Sequence, residues 1–169
     1  MYYLAIRQFA RSLKNLDSII GKAVSHAEAR KFDVNNYCAL RLFPDMLPFT
    51  GQIRVATDMA KAAAANLSGK EAPKFEDNET TVEELRARIR RCVGYLEGFT
   101  AADFEKVTAK TIVKIPFPAG KALNADEYLL GRQIPNFYFH VTTAYNLLRQ
   151  GGVEIGKADY IGALNLLDG

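Results

Sequence analysis

The chain contains no tryptophan, only two cysteines and only two histidines among its 169 residues. Cys38 and Cys92 are far apart and form no C-x-x-C pair, which is typical of buried thiols in a reducing compartment, and their spacing leaves a bridge between them open. No window approaches the roughly 18 uncharged apolar residues of a membrane span. Arginines interrupt the apolar pattern of the N-terminus, unlike in a secretory signal. We therefore expect a cytoplasmic protein.

The chain also has almost no excess of charge of one sign, because it contains 22 Lys and Arg and 19 Asp and Glu, which gives a net charge of +3. So small a net charge predicts neither nucleic acid nor a membrane as a partner. The basic run "RARIRR" at 86–91 follows Glu83 and Glu84, and we interpret it as a solvated helix face rather than a phosphate track. With 49% apolar and 24% charged residues, the chain has the composition of one globular domain over residues 1–169.

Four segments carry apolar residues three and four apart, the spacing of amphipathic helices. A capping box, Thr81 with Glu84, marks the start of the third. The predicted spans are about Tyr2 to Arg30, Pro48 to Gly69, Thr81 to Gly98, and a last helix ending at Gly151 and Gly152. Residues 31–48 predict an irregular connection with a short helical turn. These spans predict an all-α fold, a four-helix bundle.

A small excursion interrupts the helices before the last of them. Val107, Thr111 and Ile112 begin a β-branched stretch that favours extended structure, and the prolines and glycine at 116–120 break any helix, which predicts a β-hairpin. A helical pattern resumes at 124 or 125, and Pro135 interrupts it, which predicts two pieces or a kink. The apolar tail after Gly152 is expected to fold back on the body.

One polar cluster stands out against the helical stripes. Gln52 lies inside the apolar stripe of the second helix, where a buried amide requires a hydrogen-bond partner. His140 lies on the flank of the last helix, about 100° from the centre of its stripe. Asp45 precedes Gln52 by two turns and either joins the cluster or caps the second helix. We predict Asp45, Gln52, His140 and Tyr145 as candidates for ligand binding.

A metal site is the weaker interpretation of the same residues. Ala144, one turn after His140, cannot bind a metal, and His26 lies on another helix. A bundle could bring the two histidines together, and Asp45, Asp58 or Gln52 could complete a zinc or nickel site around His140. Our expectation is that no cofactor is bound. The run from Gly151 to Ala158 resembles a phosphate-binding loop, but it follows a helix and ends in alanine, so we interpret its glycines as a helix end and a turn.

Phe139 falls on the side of the last helix that faces away from its stripe. An aromatic residue on an outer face predicts a second contact, either with the excursion or with another subunit. We therefore expect a homodimer.

The chain resembles a bacterial family assigned a domain of unknown function, within the DinB/YfiT-like superfamily of metalloenzymes. The resemblance lies in "RLFPDMLPFTGQIRVATDMAKAAAANLSG" and "NFYFHVTTAYNLLRQGGVEIGKADYIG", and it runs from "MYYLAIRQF" to "GKADYIG". It implies a four-helix bundle in up-down-down-up order, often dimeric. Metal-binding members use one histidine from the second helix and two, a turn apart, from the last. His140 resembles the first of that late pair, while Ala144 stands in place of the second and the second helix has no histidine.

These observations predict a protein with a degenerate DinB-type site that binds a small molecule without a catalytic metal. One alternative is a metal-dependent thiol transferase, isomerase or hydrolase that uses His140 with Asp45, Gln52 or His26. Another is a structural or partner-binding module without a ligand. No catalytic residue is identified, so the sequence leaves open whether the protein is an enzyme.

Overall fold

The structure is a computed structural model that describes residues 1–167 and 169, most of them helical. In this part of the chain the α-helices are α1 Tyr2–Arg30, α2 Phe49–Ser68, α3 Val82–Glu97, α4 Ile134–Gln150 and α5 Lys157–Ile161. The strands are β1 Ile112–Lys114 and β2 Ala122–Asn124. Short 3₁₀ turns lie at Val34–Ala39 and Ala101–Phe104, and a π-helical turn at Glu127–Gln133 precedes α4. The expectation of a mostly helical protein is confirmed. Among the described helices, none has the length and apolar character needed to cross a bilayer.

The helix ends agree with the signals in the sequence. Lys31 takes the left-handed conformation, with φ 57°, and its N–H reaches the carbonyls of Ala27 and Glu28, which ends α1. Gly69, with φ 74°, ends α2 in the same conformation. The predicted capping box of α3 is present: the Thr81 hydroxyl accepts from the Glu84 N–H and the Glu84 carboxylate accepts from the Thr81 N–H. The end of α2 and the start of α3 thus follow signals that the sequence shows, whereas the left-handed conformation of Lys31 has no such signal.

The excursion between α3 and α4 is the predicted β-hairpin. β1 and β2 pair antiparallel, with Ile112 opposite Asn124 and Lys114 opposite Ala122. Val113 is buried, while its neighbours in the strand are exposed. The hairpin is therefore attached to the body through one face, and its other face is open to solvent.

The predicted interruption at Pro135 takes the form of a change in helix type. The π-helical turn runs directly into α4, and Pro135 occupies the first turn of α4. Ile134 N–H bonds to the Leu129 carbonyl in the π-helical pattern, and Pro135, the next residue, has no N–H to donate. The chain thus continues as helix across the proline rather than breaking into separated pieces.

The long helices pack in pairs around one core. α2 lies against α4 and α3, and α1 lies against α3 and α4. Alanines of α2 lie in this core, with Ala56, Ala60, Ala63 and Ala64 fully enclosed. Small side chains at these positions allow the neighbouring helices to approach closely.

The tail folds back on α1, also as expected. α5 packs against α1, and the Lys22 ammonium pairs with the Asp159 carboxylate at 2.5 Å. The Asn15 amide donates to the carbonyls of Tyr160 and Ile161 at 3.1 and 2.9 Å. These bonds satisfy carbonyls of a short helix that has few intrahelical partners.

The interpretation of the run 86–91 as a solvated face is wrong for Arg88. Its side chain is only 2% exposed and pairs with the carboxylates of Asp58, Asp77 and Glu79 at 2.8, 2.6 and 3.0 Å. It also donates to the Thr57 hydroxyl at 2.7 Å. Arginine repeats on a helix do not reveal which member faces a neighbour, and here the carboxylates that compensate the buried charge come from α2 and the 69–81 connection.

Candidate functional site

The candidate site is a direct contact between α2 and α4. His140 Nδ1 lies 2.7 Å from Gln52 Oε1. Gln52 is 1% exposed, whereas His140 is half-buried at the edge of the interface. The structure thus pairs the amide in the stripe of α2 with the histidine on the flank of α4.

A second hydrogen bond fixes the orientation of the Gln52 amide. Its Nε2 donates to the backbone carbonyl of Leu47 at 2.9 Å. A carbonyl can only accept, so the amide nitrogen must face Leu47 and the amide oxygen must face His140. Both ends of this buried amide are therefore satisfied within the protein.

The same geometry selects the tautomer of His140. Because Gln52 Oε1 can only accept, Nδ1 of the ring must carry the proton and donate it. In the neutral ring the lone pair then resides on Nε2. Burial lowers the pKa of His140, which further favours the neutral ring. The arrangement presents an unprotonated nitrogen that can accept a hydrogen bond, take up a proton or bind a metal.

An aromatic side chain accompanies the imidazole. The rings of Phe139 and His140 meet edge to face, with centroids 5.1 Å apart. Phe139 is 56% exposed, so it lies on the outer side of α4 as the sequence predicted. An exposed apolar ring beside an acceptor nitrogen suits a ligand that has both an apolar part and a hydrogen-bond donor.

The other predicted candidates, Asp45 and Tyr145, make no hydrogen bond to Gln52 or His140 in the described part of the chain. Asp45 is exposed, and Pro48 rather than Asp45 is the N-cap of α2. Tyr145 directs its hydroxyl towards the Ile155 carbonyl at 3.5 Å and packs edge to face on Tyr160. Tyr145 is thus engaged with the tail segment.

The two histidines do not share a site. The Nε2 atom of His26 lies beside Gly152, just after the end of α4. Along α4, His140 lies about three turns, or roughly 16 Å, before that glycine. A metal held jointly by His26 and His140 is therefore incompatible with this arrangement.

The described residues do not fit the three-histidine centre that the superfamily resemblance implies. Ala144 is fully buried one turn after His140 and offers no donor atom. Among residues 1–167 and 169, no three His, Cys, Asp or Glu side chains are grouped so as to hold a metal ion. Gln52 is occupied by His140 and Leu47, so its oxygen is not free to act as a ligand.

Sequence reasoning missed a second buried amide on the same interface. Gln133 is fully buried, donates to the Met59 carbonyl at 3.0 Å and accepts from Arg132 at 2.6 Å. It stands four residues before the buried Phe137, so the apolar stripe of α4 extended backwards could have identified it. Its two bonds are made within the protein, which indicates a packing role.

A groove of about 650 Å³ runs along the C-terminal half of α1, well away from this contact. His26 and Arg30 line it, together with Val153 and Glu154 on the opposite wall. Neither Gln52 nor His140 belongs to it. Its volume is in the range of ligand sites, but the groove is open to solvent and lacks the specific pairing seen between Gln52 and His140.

Comparisons with known proteins assign the family. A family model described as "Domain of unknown function (DUF1993)" matches residues 1–161. A crystal structure of a DinB family member protein from Shewanella denitrificans is 43% identical, with a TM-score of 0.93, covering 99% of this chain and 95% of that chain. A search of the curated proteins finds no match. The chain therefore belongs to the DUF1993 family, a domain of unknown function within the DinB-like superfamily.

Proposed function

We propose that this protein binds a small molecule that donates a hydrogen bond to Nε2 of His140. The observation that carries the proposal is the 2.7 Å contact between His140 Nδ1 and Gln52 Oε1, which leaves the lone pair on Nε2. A fixed tautomer is a property that a binding site needs and that simple packing does not require. The exposed ring of Phe139 would contact the apolar part of the ligand.

The proposed site is a degenerate form of a DinB-type metal site. His140 supplies one imidazole, while Ala144 and Gln52 occupy positions from which a metal-binding member would supply others. Gln52 would then have taken the role of orienting His140 through its Nδ1–H, a task that carbonyl and carboxylate groups perform for histidines in many sites. Binding through this nitrogen requires no metal.

Ring NMR of histidine tests the proposal with phenol as a probe. Phenol combines an aromatic ring with a donor hydroxyl, and anisole has the same ring without the donor. We expect phenol at millimolar concentration to shift the ¹⁵N resonance of His140 Nε2 more than anisole does, and to leave His26 unchanged. Equal shifts from both compounds, or a larger response at His26, would overturn the proposal.

We further propose that α1 to α4 form one four-helix bundle in up-down-down-up order. α1 runs antiparallel to α3, α2 runs parallel to α3, and α2 runs antiparallel to α4. Between α1 and α3, the contacts Lys14–Glu97 and Asp17–Arg86 support the antiparallel direction. Between α2 and α3, Arg54–Arg88 and Thr57–Cys92 support the parallel direction. Between α2 and the helical segment ending in α4, Gln52–His140 and Met59–Gln133 support the antiparallel direction. A bundle places the His140 contact at the seam between two helices.

A metal-dependent thiol transferase, isomerase or hydrolase is the second candidate function. It is favoured by the Gln52 contact, because metal-binding histidines commonly donate their other N–H to a carbonyl or carboxylate. Metal analysis of protein purified without an affinity tag tests it. Near-stoichiometric zinc or nickel that disappears in His140→Ala would favour this candidate over the first.

We also propose a cytoplasmic homodimer in which Phe139 contributes to the contact between subunits. Its 56% exposure on α4 supports this assignment, since a large exposed aromatic ring is stabilised by burial. Sedimentation at micromolar concentration should give a dimer that Phe139→Ser weakens. Phe43→Ser is the matched control, because Phe43 is 63% exposed in another segment. A monomer at this concentration would contradict the homodimer. If that monomer bound another protein, the result would favour a partner-binding module.

A further inference from the structure

The segment at 106–124, which we call the lysine hairpin, has a charge composition unlike that of the remaining chain. It contains Lys106, Lys110, Lys114 and Lys121 and no acidic residue. The whole chain has a net charge of +3, so the residues outside the lysine hairpin are close to neutral with a slight acidic excess. The small net charge of the whole protein is therefore compatible with a strongly basic segment at 106–124.

These lysines are exposed and lack ion-pair partners in the part of the chain that the structure describes. All four side chains are open to solvent. The described lysines that do form ion pairs lie outside the lysine hairpin, at Lys14, Lys22, Lys61, Lys70 and Lys74. The positive charge of the lysine hairpin is thus available to an external anion.

Large apolar side chains are exposed on the same hairpin. Phe117 is 79% exposed at the tip between Pro116 and Pro118, and Ile112 is 68% exposed. Ile112 and Lys114 lie on the same outward face of β1, because residues two apart in a strand share a face. Two backbone bonds close the tip, from Ile115 N–H to the Lys121 carbonyl and from Lys121 N–H to the Pro118 carbonyl.

The base of the lysine hairpin packs on the body of the protein, so its tip projects from a fixed base. Val113 is 3% exposed and Ala125, just after β2, is fully buried. The Asn124 side chain accepts from the Glu127 N–H at 2.9 Å, which links β2 to the helical segment before α4. The apolar tip therefore projects together with Lys114 at the end of β1 and Lys121 just before β2.

We propose that the lysine hairpin docks on an anionic lipid surface, with Phe117 entering the boundary between headgroups and acyl chains. Charge complementarity selects the partner, because a segment that carries four lysines and no acidic residue matches a layer of anionic headgroups. A projecting aromatic tip fits a soft, flat interface, whereas a protein partner would need a pocket shaped to receive it. This inference goes beyond the proposed function and does not depend on His140. It also departs from the expectation that no membrane is a partner, which rested on the net charge and the lack of an apolar span.

Vesicle co-sedimentation of the full chain tests the docking. Vesicles of phosphatidylcholine alone are compared with vesicles that contain one-third phosphatidylglycerol. We expect binding to the anionic vesicles only, weakened by added salt because screening acts on exposed charges. Replacing one lysine, as in Lys114→Gln or Lys121→Gln, should weaken partitioning about fivefold.

Matched variants separate the lysine hairpin from general properties of the surface. Phe117→Ser should reduce binding, whereas Phe43→Ser should not, although both rings are largely exposed. Lys31→Gln removes one exposed lysine from another region and should leave partitioning unchanged. All five substituted sites are exposed, so circular dichroism should show the fold retained in each variant.

Three results would overturn the proposal. The first is no binding to anionic vesicles at millimolar lipid. The second is binding that Phe117→Ser and Lys114→Gln leave unchanged. The third is binding to a single-stranded RNA oligonucleotide, lost in the same variants, without any binding to vesicles, which would assign the lysine hairpin to nucleic acid instead.

Discussion

His140 and Gln52 hold each other in one orientation, with Nδ1 and Oε1 2.7 Å apart. The Leu47 carbonyl accepts from the other end of the same amide. The series of hydrogen bonds Leu47–Gln52–His140 therefore determines which nitrogen of the His140 ring carries the proton. A backbone carbonyl before α2 thus determines the chemistry available on α4.

Gln52→Leu should destabilise the protein by about 1–3 kcal/mol, because it leaves the His140 N–H and the Leu47 carbonyl without their partners. His140→Leu should also destabilise it, since the Gln52 oxygen then lacks a donor. The double variant should cost less than the sum of the two single variants, by about 0.5–3 kcal/mol. Urea unfolding of the four proteins measures this coupling. Additive effects would show that the contact contributes no specific energy.

The pH dependence of stability should include a contribution from His140. Burial lowers its pKa in the folded state, so between the folded and unfolded values the unfolded chain binds a proton that the folded chain does not. The free energy of unfolding should therefore rise with pH through this window. The contribution is complete above about 6.5, the ordinary histidine value, and is lost as the pH falls towards the folded value.

Comparison with His140→Gln isolates this contribution. Unfolding curves at several pH values between 5 and 8 should give a smaller rise in the free energy of unfolding for the variant than for the unmodified protein. A rise of equal size in the two proteins would contradict the contribution assigned to His140.

The end of α2 and the start of α3 could be predicted from the sequence because local signals determine them. Gly69 after α2 and the Thr81 capping box each act within one helical turn. The hairpin was predictable for the same reason, since its β-branched residues and its turn residues are close in sequence. By contrast, the π-helical turn before α4 has no short-range signal of comparable strength.

The candidate site could be predicted only in part. Gln52 was identifiable because it interrupts an apolar stripe, and His140 because histidine is rare in this chain. Their contact joins residues 88 apart, and the Leu47 carbonyl that orients the amide belongs to the backbone, which sequence pattern does not describe. Arg88 was misinterpreted for a related reason: its partners come from α2 and from a polar connection whose path the sequence does not reveal.

Arg88→Met should lower the free energy of unfolding by about 3–5 kcal/mol, because it leaves the carboxylates that the buried guanidinium compensates without their counter-charge. Burial would raise the pKa of Glu79, but hydrogen bonds and charge from Arg88 outweigh it and lower that pKa. Arg90→Met on the same helix is the matched control. Arg90 is half-exposed in its ion pairs with Asp17 and Glu83, so its loss should cost at most about 1 kcal/mol. Similar urea midpoints for the two variants would contradict the role assigned to Arg88.

Glu84→Gln should weaken the start of α3, with an effect that depends on pH. Hydrogen bonds from the backbone N–H groups of Thr80 and Thr81 lower the pKa of Glu84 to about 2 in the folded protein. A depressed carboxyl pKa stabilises the folded state above the unfolded value, about 4.3, and this stabilisation is lost as the pH falls towards 2. Urea midpoints should therefore differ between the variant and the unmodified protein at pH 7 and converge as the pH falls. A difference between the two midpoints that stays constant as the pH falls would contradict the role assigned to the Glu84 carboxylate in the capping box.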